Sequence, residues 1–128
     1  MDHTEQDERM FFNGHPAAFP LYEEFSRKLF TLFPATTMRV QKSQITFSNR
    51  HVYACVSFLR VKKKAELPGS YIVVTLGLPY PLGSERVAVK TEPYPGRWTT
   101  HFVISSPSQL DDEFFAWVGQ AYDFSENK

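Results

Sequence analysis

The sequence of 128 residues lacks several features that would assign a protein class at once. It has a single cysteine, Cys55, so no disulfide can form within the chain, and we expect a reducing compartment. No apolar run approaches the roughly 18 residues that a membrane-spanning helix needs. The acidic start of the chain does not resemble a signal peptide. By elimination, we expect a cytoplasmic protein with no membrane partner.

Neither sign of charge is in excess. Lys and Arg total 14 and Asp and Glu total 14, so the formal net charge is zero. No whole-protein field therefore draws the chain to nucleic acid or to an anionic membrane. Hydrophobic residues make up 42% of the chain and include 12 Phe, which predicts a packed core that takes much of its volume from Phe. The length fits one domain that folds without a disulfide or a metal.

The periodicity of apolar residues predicts an α+β fold: a single antiparallel sheet of about five strands, with an N-terminal and a C-terminal helix packed on one face. Residues 1–10 are polar, and we expect a flexible N-terminal tail before a single domain over 11–128. Pro20 fits the first residue of the first helix, and Pro34 ends it. Period-two runs predict strands over residues 38–47, 51–61, 71–76, 86–91 and 97–105.

The predicted last helix follows Ser108, which can serve as its N-cap, with Asp111 and Asp112 in the first turn. Consecutive acids on a helix point in different directions, so this acidic run indicates a helix start rather than a catalytic cluster. The buried stripe of this helix is predicted to contain Leu110, Phe114, Trp117, Val118 and Ala121.

Alternation along the strands assigns each side chain to one of two faces of the sheet. The core face collects apolar residues, among them Val52, Val74, Leu76 and Val89. The opposite face is polar and cationic, and no Asp or Glu falls on it. Its candidate ligand-binding residues are Lys42, Gln44, Tyr53, Thr75, Lys90, Arg97 and His101.

The segment 92–98 adds an eighth candidate, Trp98. Two prolines and a glycine stiffen this segment, which presents Tyr94, Arg97 and Trp98 close together. An aromatic pair with an arginine suits planar or anionic ligands. The alternative is a hairpin turn whose Trp98 fills the rim of the core.

Other residues with reactive side chains form weaker patterns. His15, His51 and His101 lack the short ligand spacing of a metal site, and we expect neither a metal nor a cofactor. Cys55 could pair with His51 or His101 as nucleophile and base, although His51 is four residues away on the same strand and too far for a direct hydrogen bond. A lone cysteine within a strand is more often a packing residue. The run 62–64 of three lysines could bind phosphates, although such runs are usually only solvated.

Three stretches together resemble the bacterial family called domain of unknown function 5655. They are Val40-Gln41-Lys42-Ser43-Gln44-Ile45-Thr46-Phe47, the hairpin into Val52-Tyr53-Ala54, and the closing Gln109–Ala121 helix. The resemblance covers roughly residues 18–124. It implies a small α+β domain of a kind sometimes attached to nuclease-like modules. The family has no assigned activity, so the resemblance transfers no functional residue.

The polar face therefore predicts a binding module for an anionic ligand, either a small molecule or nucleic acid. One alternative is a small enzyme that uses His101 or Lys90 as its acid or base. Another is a domain that associates with itself through a sheet edge or exposed aromatic residues. Binding is preferred because a nucleophile, a base and oxyanion donors do not come together in the sequence.

Overall fold

The structure, a computed structural model, describes residues 3–61 and 68–128; the predicted lysine loop at 62–64 lies outside these ranges. The described residues form three α-helices and one six-stranded sheet. The helices are α1 (His3–Phe11), α2 (Phe19–Leu32) and α3 (Asp112–Glu126). The strands are β1 (Thr37–Val40), β2 (Gln44–Ser48), β3 (Val52–Ser57), β4 (Ile72–Leu78), β5 (Val89–Tyr94) and β6 (Arg97–Ile104).

The strands follow the order β1-β2-β3-β4-β6-β5, and every neighbouring pair is antiparallel. This arrangement confirms the α+β class and the antiparallel sheet. The single strand predicted over 38–47 is two strands, because the chain turns between Val40 and Gln44. Gln41 N donates to Gln44 O at 2.8 Å and closes that turn. The strand predicted over 86–91 begins at Val89 instead.

The core lies between one face of the sheet and the two long helices, α2 and α3. Val74 and Leu76 of β4 are fully buried, as predicted for a central strand. From α2, the Phe25 ring meets Phe47 of β2 edge-on at 5.7 Å. From α3, the Phe114 ring lies 5.3 Å from Phe102 of β6. Phe side chains therefore supply much of the contact between the layers.

A β-bulge interrupts the pairing of β2 with β3. Phe47 pairs with Ala54, and the next residue, Ser48, pairs with Val52. Tyr53 is thus an extra residue on β3 with no partner on β2. An extra residue at a bulge breaks the strict alternation of side chains along its strand.

The bulge turns Tyr53 into the core, so its predicted place on the polar face is wrong. Only 1% of Tyr53 is exposed. Its ring packs against Phe33 and Tyr122, and its hydroxyl lies 2.7 Å from that of Thr36. Val52, predicted to be in the core, is 51% exposed for the same reason.

Helix α1 is an element that the sequence pattern did not predict, because its residues are polar and charged. It lies beside edge strand β1, and the Tyr22 hydroxyl of α2 donates to Glu8. At the end of α1, the Phe11 ring stacks on the Phe58 ring at 5.9 Å, and after the helix the His15 ring stacks on Phe58 at 3.8 Å. The division into a flexible tail over 1–10 and a domain over 11–128 stays a prediction.

Asp111, rather than Ser108, caps α3. The Asp111 carboxylate accepts a hydrogen bond from Phe114 N at 3.0 Å, which satisfies one of the free N–H groups of the first turn. The predicted cap, Ser108, lies in the short 3₁₀ helix Pro107–Gln109, whose own cap is Ser106.

Arg86 ties the connection between β4 and β5 to the start of α3. Its guanidinium donates to Asp111 and Glu113, each at 2.9 Å, and to the Gln109 carbonyl at 2.6 Å. The same group lies 5.4 Å from the ring centre of Trp117. The Arg86 side chain therefore contacts two carboxylates, a backbone carbonyl and an aromatic ring.

We expect Arg86→Ala to lower the free energy of unfolding by about 1–2 kcal/mol, because several charge-assisted contacts at a partly exposed site are lost together. Urea denaturation at pH 7 measures the change. The control is Arg27→Ala, which removes an exposed ion pair with Glu24 within α2. That change should cost less than about 0.5 kcal/mol.

The effect of Arg86→Ala should also depend on pH. The Phe114 N–H and then Arg86 lower the pKa of the Asp111 carboxyl. A lowered folded-state pKa stabilises the fold above the unfolded pKa, and this contribution is lost as the pH falls through the folded value. The difference between wild type and Arg86→Ala should therefore shrink below about pH 4. Equal losses for Arg86→Ala and Arg27→Ala at pH 7 would contradict this role.

Candidate functional site

A pocket of about 710 Å³ lies on the face of the sheet opposite α2 and α3. This face is not a flat solvated surface, since Val73 and Ser57 on it are buried. None of the described residues that line the pocket is an Asp or a Glu. The lining residues are Phe11, Gly14, His15, Lys42, Ser43, Gln44, Cys55, Ser57, Phe58, Leu59, Thr75, Thr99 and His101.

A row of three side chains crosses the floor of the pocket. Cys55 of β3 is the register partner of Thr75 on β4, which in turn is the partner of His101 on β6. Register partners point to the same face, and neighbouring strands are about 4.8 Å apart. Thr75 therefore lies between the thiol and the imidazole, and its Oγ1 is 2.8 Å from His101 Nδ1.

His101 is held neutral in this row. It is only 8% exposed, and burial lowers the pKa of its imidazole below the ordinary value of 6.5. Nδ1 is occupied by Thr75, whereas Nε2 has no partner among the described residues. The second ring nitrogen is thus available to a ligand in the pocket.

Cys55 is not activated as a nucleophile. Burial raises the pKa of its thiol, and the hydrogen bond with Thr75 offsets only part of that effect. His101 is two strands away from Cys55, about 10 Å between backbones, so the two side chains cannot form a direct nucleophile–base pair.

The two ends of the pocket differ in chemistry. Lys42, Ser43 and Gln44, from the turn between β1 and β2 and the start of β2, form a polar end. An aromatic and apolar wall is formed by Phe11 at the end of α1, His15 after it, and Phe58 and Leu59 after β3. The sequence pattern did not predict this wall, because its residues lie outside the strands. The adjacent aromatic residues Phe11 and Phe12 were the sequence feature that could have indicated an aromatic wall.

Four of the eight predicted site residues come together. Lys42, Gln44, Thr75 and His101 all line the pocket. Alternation along the strands accounts for the last three, whereas Lys42 reaches the pocket from the turn between β1 and β2. Their role in binding stays a prediction. Tyr53 lies in the core, as described above.

Lys90 lies on the other face of the sheet, so its predicted placement is wrong. Val89 is the register partner of His101, and Lys90 that of Thr100, which is fully buried. The Lys90 ammonium donates to the Leu82 carbonyl at 2.9 Å. Alternation misassigned this strand because β5 is an exposed edge, where burial of a valine does not fix the face.

Arg97 and Trp98 begin β6 and do not line the pocket. Trp98 is half-buried and pairs with Leu78. Arg97 is near the C-terminus. Burial of the Lys128 ammonium is the main cause that lowers its pKa, and the positive charge of Arg97 is the second. Of the four basic residues predicted on the polar face, Lys42, Lys90, Arg97 and His101, only Lys42 and His101 share the pocket.

The described residues contain no group of three His, Cys, Asp or Glu side chains that could hold a metal ion. The three histidines considered above are spread over the pocket wall, the turn between β2 and β3, and the pocket floor. Across the described ranges, every helix is too short or too polar to cross a membrane.

Comparison with known proteins gives one match. A family model described as "Domain of unknown function (DUF5655)" matches residues 8–125. No curated protein and no solved structure matches the chain. The matched range includes all six strands and all the residues that line the pocket.

We expect NMR titration to give His101 a pKa below 6.5, because burial disfavours the charged imidazole. The unfolded chain then binds the proton at a higher pH than the folded chain. The free energy of unfolding should fall as the pH is lowered from the unfolded value to the folded value. His101→Gln should remove this part of the pH dependence.

The matched variants Thr75→Val and Thr75→Ser test the hydrogen bond to Nδ1. Valine keeps the shape of threonine but loses the hydroxyl, which should lower the free energy of unfolding by about 1 kcal/mol. It should also alter the tautomer balance of His101 seen in the imidazole ¹⁵N shifts. Serine keeps the hydroxyl and should preserve the hydrogen bond and the tautomer balance. A His101 pKa at or above 6.5, or ¹⁵N shifts that are the same in both variants, would contradict the assigned environment.

Proposed function

The chain belongs to the family described as a domain of unknown function (DUF5655), and we propose that it is a ligand-binding domain whose site is the pocket around Thr75 and His101. The ligand we propose is a small anion that carries an apolar, ring-sized group. The observation that carries this proposal is the division of the pocket into a polar end at Lys42 and an aromatic wall around Phe58.

The charge of the pocket supports an anion. Lys42 is exposed, and no described residue forms an ion pair with it. No acid among the described lining residues competes with a ligand for this ammonium. Ser43 and Gln44 beside it supply side-chain donors that can share the negative charge. Lys42 can form a charge-assisted hydrogen bond with an anion without giving up an ion pair. Gln44 Nε2 donates to Gln41 Oε1 at 3.3 Å and keeps a second N–H for the ligand.

The wall supports an apolar group on the same ligand. Leu59 is 55% exposed although it lines a pocket, and Phe11 and Phe58 are only partly buried. Covering such apolar surface contributes roughly 25 cal/mol per Å² removed from water. The His15 ring, 3.8 Å from that of Phe58, extends the wall with a flat surface on which a ligand ring can stack.

The size of the cationic region favours a small molecule over nucleic acid. A nucleic-acid backbone carries a repeating charge and is normally held by several Lys or Arg side chains. Among the described residues that line the pocket, Lys42 is the sole Lys or Arg. Lys90 and Arg97, which would have lengthened a basic track, are elsewhere in the fold.

Catalysis through His101 is the second candidate function. A buried neutral imidazole with Nδ1 fixed by a hydroxyl and Nε2 available can act as a general base toward a bound substrate. Lys90 is excluded from this role by its position on the other face. Turnover of a bound ligand that is lost in His101→Gln would distinguish catalysis from binding alone.

We expect phenyl phosphate to shift the backbone amide signals of Gln44, Thr75 and His101 in a saturable titration. Lys42→Gln should raise the dissociation constant about three- to tenfold, since one ion pair near the surface is worth about 1 kcal/mol. Arg50→Gln is the matched control. It removes the same charge from the turn at the other end of β2 and should leave the affinity unchanged.

Inorganic phosphate and phenol separate the two halves of the ligand, and each should bind more weakly than phenyl phosphate. Equal effects of Lys42→Gln and Arg50→Gln would indicate nonspecific attraction to charge and contradict the proposal. Saturable shifts from a short single-stranded oligonucleotide, with none from phenyl phosphate, would favour the nucleic-acid alternative instead.

A further inference from the structure

We infer that the binding site continues beyond the pocket along β4 onto Gly77, so that the ligand is elongated and places a second, uncharged flat group there. This inference rests on the proposed function and extends it to the shape of the ligand. It joins three observations: a second cavity beside the first, a glycine in the strand, and the bulge at Tyr53.

The second cavity, of about 100 Å³, adjoins the first on the same face of the sheet. The two cavities share Cys55, Thr75 and Thr99. A ligand on the row at Thr75 therefore meets a continuous floor. The second cavity is lined by Val52, Tyr53, Ala54, Cys55, Thr75, Leu76, Gly77 and Thr99.

Gly77 leaves this floor open. It is two residues beyond Thr75 on β4 and pairs with Thr99, so any side chain here would stand on the pocket face. A Cβ atom added at Gly77 would meet no atom within 4 Å, and its backbone φ is not positive. Neither packing nor backbone conformation demands a glycine. Within a strand, such a glycine marks a bulge, a bend, or a place where a ligand or another backbone approaches closely. The bulge here lies on β3 and not on the strand of Gly77, so we infer close approach of a ligand.

The bulge in β3, the neighbouring strand, removes a second side chain from the same region. With strict alternation, Tyr53 would share the face of Cys55 and stand beside Gly77. The extra residue in β3 instead turns the Tyr53 side chain into the core, against Phe33 and Tyr122. Two independent features thus remove side chains from one patch of the sheet, while the exposed Val52 borders it.

The combined floor sets the dimensions and the chemistry of the ligand. Gln44 is level with Ser57 and Val73, and Gly77 is four residues farther along β4. Two strand spacings and four residues correspond to a diagonal of about 16 Å. The residues around Gly77 carry no charged side chain. The second group of the ligand is therefore uncharged, and a flat one fits a floor made mainly of backbone.

Two phosphates of different length test this inference: phenyl phosphate, with one ring, and 4-biphenylyl phosphate, with two rings in line. The wild-type chain should bind 4-biphenylyl phosphate about tenfold more tightly, a gain of about 1.4 kcal/mol. Gly77→Val should abolish that gain and leave the affinity for phenyl phosphate unchanged. Gly83→Val, in an exposed loop outside both cavities, is the matched control and should keep the gain.

A measurement on the wild type keeps the test independent of whether Gly77→Val folds. Intermolecular nuclear Overhauser effects should connect the distal ring of 4-biphenylyl phosphate with the Val52 methyl groups. If phenyl phosphate binds at Lys42 but the longer phosphate binds no more tightly, the extension is wrong and the proposed function stands. If neither phosphate binds, the proposed function fails, and this inference fails with it.

Discussion

Alternation of side chains across one antiparallel sheet is the constraint on which both the core and the candidate site depend. Along β4, Val74 and Leu76 face the helices, whereas Thr75 faces the pocket and Gly77 faces the second cavity beside it. A slip of one residue would place hydroxyls in the core and valines in the pocket. Packing of α2 and α3 against the apolar face therefore fixes which residues are available on the other face.

Pairing across the strands then builds the site from residues far apart in the chain. Cys55, Thr75 and His101 come from three strands, yet register places them in one row. Burial keeps the thiol and the imidazole uncharged, so Lys42 is the dominant charge at the pocket. This combination suits recognition of an anion by one cation and several neutral donors better than it suits nucleophilic chemistry.

Sequence periodicity was sufficient where burial constrains one face of a strand. It predicted the interior position of Val74 and placed Lys42, Gln44, Thr75 and His101 on a common face. Periodicity placed Tyr53 on the wrong face, because no pattern in the sequence predicts the bulge in β3. It failed at Lys90 because β5 is an exposed edge, whose valines need not face the core.

The pocket wall could not be predicted from the patterns of strands and amphipathic helices. Helix α1 has a polar sequence, and its position depends on tertiary contacts such as the Tyr22–Glu8 hydrogen bond. Those contacts bring Phe11 and His15 against Phe58, which follows the end of β3. The polar face of the sheet is thereby shaped into a pocket with an apolar side.

The most direct test of binding in this pocket is the set of intermolecular nuclear Overhauser effects from phenyl phosphate to the wild-type protein. The ring protons of the ligand should contact the Thr75 methyl group and the Phe58 ring, both of which line the pocket. Contacts confined to a site outside it, such as the groove between Tyr80 and Phe124, would contradict the account. The absence of any contact at saturating ligand would contradict it equally.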